Sequence, residues 1–123
     1  MYTLDTNVVL YYIGNEPSVC ARIEKALMAG MPLYVSAITV AELLRFPKLT
    51  PSEEHAIRTF LFICSVITID MTIADRAGAI GRLHNVKLAD SLIAATALFT
   101  NTTLLTRNVR DFKSIPLLAM ETM

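Results

Sequence analysis

Leu4-Asp5-Thr6-Asn7-Val8-Val9 holds a carboxylate where a short apolar strand gives way to a helix. Tyr2 to Leu4 read as the strand. Val8, Val9 and Tyr12 then recur at helical spacing, so a short helix is expected over Val8 to Ile13. In open α/β sheets, ligands bind outside the carboxyl ends of the strands. Asp5 gains meaning if other acids arrive at the same edge.

Moving outward, strands and helices alternate. Gly14-Asn15 ends the first helix and Pro17 suits the first turn of a second, with Val19, Ile23, Ala26 and Leu27 on one face. Gly30 fits the position just past that helix, and Leu33 to Val35 form a second strand. Ser36 to Thr39 lead into a helix carrying Glu42, which Pro47 ends. Thr50-Pro51-Ser52-Glu53 has the form of a capping box opening the next helix. Val66 to Ile69 are read as a third strand closed by Asp70. A helix marked by Ile73, Ala77, Ile80 and Leu83 follows, and Asn85-Val86 break it. Leu88 to Phe99 is almost wholly apolar and reads as a buried helix. Thr103 to Leu105 form a fourth strand, Arg107 to Phe112 a loop or helical turn, and Leu117 to Ala119 a fifth strand. The pattern predicts an α/β fold: a parallel twisted sheet of four to five short strands flanked by helices on both faces.

The 123 residues suit one domain, 1–123, with no internal repeat or linker. A hydrophobic content of 54% excludes disorder and leaves apolar surface for a partner. Lys plus Arg and Asp plus Glu number 11 each, so polyanion binding requires a local basic patch. Cys20 and Cys64 lack metal-like spacing and are expected as buried, reduced thiols. No signal-peptide pattern opens the chain, and no apolar run spans a bilayer, so a cytoplasmic protein without membrane contact is expected.

Among the acids, Glu16, Glu24, Glu53, Glu54, Asp75 and Glu121 fit capping or solvated roles. Asp70 follows a strand but equally caps the helix after it. Four acids remain. Asp5, Glu42 and Asp111 each come soon after a strand, and Asp90 opens a buried helix. Singly, each has an ordinary structural explanation: a helix cap, an exposed helix face, a first-turn acid or an Asx-turn. Together they form a converging cluster whose mutual repulsion a divalent cation would relieve. Oxygen-only ligation favours Mg²⁺ or Mn²⁺, in number one or two, and suits phosphodiester hydrolysis by an activated water. Arg45, Lys48, Lys87, Arg107, Arg110 and Lys113 lie within a few positions of three of these acids. They would form a positive rim for a polyanion, although charge complementation at helix ends accounts for them equally well.

Four segments carry a resemblance: Leu4-Asp5-Thr6-Asn7-Val8, Ser36 to Leu43, Leu88 to Ala97, and Leu105-Thr106-Arg107-Asn108-Val109-Arg110-Asp111-Phe112. In this order and spacing they resemble the PIN-domain ribonucleases, and among them the VapC-type toxins of toxin–antitoxin pairs. The resemblance implies Mg²⁺- or Mn²⁺-dependent RNA cleavage, a homodimer and inhibition by a cognate antitoxin. It carries over Asp5, Glu42 and Asp90 as metal-binding catalytic acids, with Asp111 as the usual fourth. Asn108 stands where some members have another acid, so the fourth ligand is either shared or supplied through water. Thr6, Asn7 and Thr106 match polar positions that orient carboxylates or waters. Leu44-Arg45-Phe46-Pro47 stands where many relatives have a glycine, which alters the expected substrate groove.

Two other functions compete. A phosphate-accepting signalling domain would need an adjacent acid pair after the first strand, where Thr6 and Asn7 stand instead. A non-catalytic RNA- or protein-binding module would keep the fold, but its four acids would then only destabilise one another. No P-loop, dinucleotide-binding glycine turn, serine elbow or Cys/His cluster is present.

Overall fold

The computed structural model describes residues 1–123. β1 (Tyr2–Leu4) runs into α1 (Thr6–Ile13) and α2 (Pro17–Met28). β2 (Leu33–Ser36) leads to α3 (Ala37–Leu44) and α4 (Pro51–Ile63). β3 (Ser65–Ile67) precedes α5 (Met71–His84) and α6 (Leu88–Thr100), and β4 (Thr103–Leu105) precedes α7 (Val109–Phe112) and β5 (Met120–Glu121).

The five strands form one sheet in the order β3-β2-β1-β4-β5, and every pairing is parallel. The chain moves from β1 to β2 and β3 on one side, then returns to β4 on the other. The order therefore reverses between β1 and β4, and a crevice opens at their carboxyl ends. Asp5 follows β1 and Thr106 follows β4 at that point.

Successive strand residues face opposite sides of the sheet. Leu105 joins a core with Leu4, Val8, Val9, Val19, Ile23 and Val35, whereas its neighbour Leu104 joins one with Ile73, Ile93, Ala94 and Phe112. Helices thus cover both faces. α6 is buried from Ser91 to Ala97, as its apolar run requires. No helix is long and apolar enough to cross a membrane.

Local signals set most boundaries. Thr50 and Glu53 complete the capping box on α4, and the Asp70 carboxylate accepts from the Ile73 amide at 2.9 Å. Asp70 thus takes the capping role. Gly30 has φ +71° just past α2, a left-handed conformation that glycine adopts without strain.

Some expectations shift. α1 starts two residues early, because the Asp5 side chain caps it at Thr6. α3 stops at Leu44, three residues before Pro47. β3 is Ser65–Ile67 rather than Val66 to Ile69. β5 forms at Met120–Glu121, because Leu117 takes φ +66° and breaks the extended run expected over Leu117 to Ala119. Leu83 is 68% exposed; at 100° per residue it sits roughly 80° around α5 from Ile73, off the buried stripe. Cys20 and Cys64 are free but only half-buried; burial pushes the Cys64 thiol up to about 12.

Candidate acidic site at the β1–β4 crevice

Asp5 is 5% exposed and held from three directions. Its backbone amide donates to the Leu105 carbonyl at 3.1 Å. Its Oδ1 accepts from the Thr6 amide at 2.8 Å, and its Oδ2 accepts from Thr106 Oγ1 at 2.8 Å. Thr106 Oγ1 in turn accepts from the Asn108 amide at 2.9 Å. The two strands flanking the crevice are thereby joined through one carboxylate.

Glu42 reaches the same crevice from α3. Thr6 Oγ1 donates to Glu42 Oε1 at 2.6 Å and lies 3.1 Å from the buried Thr39 hydroxyl. Asp90, in the first turn of α6, is half-buried, and Lys87 before it provides no side-chain cap. Asp111 is exposed on α7.

Electrostatics ties the four together. Desolvation pushes the Asp5 carboxyl up; the Thr106 and Thr6 hydrogen bonds oppose this, and the charges of Glu42 and Asp111 add to it. Asp90 is pushed up to about 6, by burial first and then by Asp5, Asp111 and Glu42, with Lys87 opposing. The ion pairs of the chain are Arg22–Glu121, Arg58–Glu54 and Arg107–Glu16, so none neutralises these acids.

The donor chemistry, oxygen only and net negative, fits a hard divalent cation. The arrangement is not a ready-made cage: no three His, Cys, Asp or Glu side chains stand together closely enough to hold an ion as they lie. Asp5 and Asp90 each feel the charges of Glu42 and Asp111 across this crevice.

The burial of Asp90, with the charges around it, predicts a pH-dependent stability. The folded pKa of Asp90 lies above the unfolded value of about 3.9. Its ionised form is thus disfavoured by folding. The cost is absent below about pH 4, grows as pH rises to about 6, and is complete above that. Asp90→Asn should stabilise the metal-free protein by about 1–2 kcal/mol near neutral pH, discounted for partial exposure, and by nothing near pH 4. Thermal melts of both proteins across that window check this; equal stability at every pH would contradict it.

Two clefts flank the acids. One, about 260 Å³, is lined by His84, Lys87, Asp90, Arg110, Asp111 and Ser114. The other, about 400 Å³, is lined by Thr6, Asn7, Glu42, Arg45, Phe46 and Pro47. Leu10, Phe46 and Pro47 continue from it into an apolar groove of about 630 Å³ that Lys48 borders. Lys87, Arg110 and Arg45 therefore reach the acidic mouth, Lys48 sits beyond it, and Lys113 is exposed past α7. Arg107 departs from its expected place on a free rim: it pairs with Glu16 and stacks over Tyr11. Nothing in the sequence signalled this contact, since its partners lie about ninety positions away. Thr39 was likewise missed; it shares its Thr-Val-Ala-Glu run with Glu42 but carries no separate signal.

The family model for the PIN domain matches residues 2–117. Ribonuclease VapC2 of Rickettsia felis is 29% identical over 98% of this chain and 96% of its own length. Ribonuclease VapC1 of Haemophilus influenzae strain R2866 is 28% identical over 94% and 92%. Among solved structures, the Rickettsia felis VapBC2 complex bound to a promoter DNA fragment superposes with a TM-score of 0.84, at 27% identity over 99% of this chain and 98% of that one. A toxin–antitoxin complex from Klebsiella pneumoniae gives 0.78, at 31% identity over 94% and 93%.

Proposed function

Because this chain belongs to the PIN-domain family, we propose that it is a divalent-metal-dependent endoribonuclease, the toxin of a toxin–antitoxin pair. The observation that carries this reading is the set of four charge-coupled, unpaired acids at the β1–β4 switch point, with Asp5 locked by Thr106. Asp5, Glu42, Asp90 and Asp111 would hold Mg²⁺ or Mn²⁺ and are the proposed catalytic residues. Bound there, the ion would supply an activated water and charge stabilisation at the phosphate.

The chain's own groups have distinct tasks. Thr106 and the Thr6 amide fix both oxygens of Asp5, and the Thr6 hydroxyl orients Glu42. Lys87 and Arg110 beside Asp90, and Arg45 beside Glu42, would hold flanking RNA phosphates and offset their repulsion from the acids. Asn7, exposed at the mouth, would contact water or substrate; the Asn108 amide anchors the Thr106 turn. The relatives assemble as toxin–antitoxin complexes, so a cognate antitoxin is the proposed protein partner, with a homodimer and a cytoplasmic location following the same reading.

A second reading has one observation in its favour: the four acids are not gathered into a cage. A non-catalytic module that binds RNA or protein would need none. Cleavage of a mixed RNA substrate with Mg²⁺ or Mn²⁺, against EDTA, separates the two. The ribonuclease reading expects fragments only with the ion, and calorimetric binding of Mn²⁺. Absence of both selects the module.

A further inference from the structure

We propose that Arg107 positions the acidic centre and does not contact RNA; this deepens the ribonuclease reading and rests on it. Its Nη2 donates to Glu16 Oε2 at 2.6 Å and to Ser18 Oγ at 2.7 Å. Its guanidinium carbon lies 4.7 Å from the centroid of the Tyr11 ring. Glu16 is itself fixed, accepting from the amides of Ser18 at 3.3 Å and Val19 at 3.1 Å as the cap of α2. The Arg107 Nε is buried without a hydrogen-bond partner, and Nη2 is taken up by Glu16 and Ser18, which leaves the side chain 30% exposed.

The consequence lies one residue away. Thr106, Arg107 and Asn108 form a tight turn in which Thr106 Oγ1 accepts from the Asn108 amide and donates to Asp5. Asp5 caps α1, and α1 carries Tyr11. The contacts therefore close a ring: Asp5, α1, Tyr11 and Glu16, Arg107, Thr106, and back to Asp5. An ion pair with both side chains 30% exposed adds little stability. Its geometric effect is larger, because a small shift of a positioning group costs rate.

An RNA-contacting arginine and a positioning arginine predict different kinetics. Loss of a phosphate contact raises KM and makes the salt dependence shallower. Loss of positioning lowers kcat and leaves both alone. Arg107→Ala should lower kcat by about tenfold or more with KM and salt slope unchanged. Arg107→Lys should fall between, since an ammonium pairs with Glu16 but lacks the planar fork. Glu16→Gln is the sharpest variant, for it keeps the cation and removes its anchor. An RNA contact would bind as well or better in it, whereas a positioning role requires its kcat to fall. Arg58→Ala, on the exposed far pair, should change nothing.

A second readout is independent of RNA. Hydrogen exchange at the Asn108 amide, which is tied to Thr106, should speed up about tenfold in Arg107→Lys and Glu16→Gln. Faster exchange without any RNA cleavage by the wild type keeps the positioning role and defeats the ribonuclease reading. Unchanged exchange, or a raised KM with unchanged kcat, overturns the positioning role while leaving the ribonuclease reading intact.

Discussion

Asp5→Asn and Asp90→Asn should each lower metal-supported RNA cleavage by about 10²-fold or more, while both proteins remain folded. Asparagine keeps the size of the side chain and, at position 5, its ability to cap. Its amide oxygen still accepts from the Thr6 amide or from Thr106, and asparagine caps helices about as well as aspartate. What disappears is a negative charge at a place where no arginine or lysine pairs with it. A purely structural acid would therefore lose little. An acid that helps to hold a cation loses several kcal/mol of transition-state stabilisation, and each 1.36 kcal/mol is about tenfold in rate. Single-turnover cleavage at saturating Mg²⁺, with circular dichroism of each variant, makes the measurement. Both variants cleaving at the wild-type rate would remove the ribonuclease reading. At Asp90 a second effect runs the other way: the inactive variant should be the more stable protein near neutral pH, because a half-buried charge no longer has to be desolvated and its repulsion from Asp5, Asp111 and Glu42 is relieved.

That opposition of activity and stability explains why some of the molecule was legible in its sequence and some was not. Asp5, Asp70 and the Thr50–Glu53 box announce helix starts because a cap acts over two or three residues. The alternation of strand and helix forces a parallel sheet, and the parallel sheet brings the residues after β1, β2 and β4 to one edge. Short-range rules thus place Asp5 and Thr106 in one crevice. They do not set the distances between carboxylates on different helices, which depend on how α3, α6 and α7 pack. The acids consequently share a field without forming the cage their order suggested. Arg107 shows the same limit. Beside Asn108 and Arg110 it reads as part of a basic rim, yet Glu16 and Tyr11 come within reach only after β4 has docked beside β1. Leu117 shows it at the backbone, where a left-handed residue delays β5 by three positions from the expected run.

Phe112→Ala should destabilise the protein by about 3–5 kcal/mol, a fall in melting temperature of roughly 10–20 °C. Phe112 is fully buried in the core formed by Ile73, Ile93, Ala94 and Leu104. Truncation removes its transfer energy and leaves a cavity under α6. The effect on the site follows from the length of α7. It has four residues, and Asn108 gives it no side-chain cap, so it is too short to stand as an isolated helix. Its place is fixed by the Phe112 ring, and with it the place of Arg110 and Asp111, the two residues before it. Leu117→Ala makes the comparison: that side chain is 89% exposed, and its loss should stay within about 0.5 kcal/mol. Below its lowered melting point, Phe112→Ala should retain more cleavage than Asp90→Asn, because Asp5 and Glu42 keep their hydrogen bonds to Thr106 and Thr6 when α7 loosens. Activity as low as that of Asp90→Asn in a still-folded Phe112→Ala protein would instead make α7, and Asp111 on it, an equal part of the acidic centre.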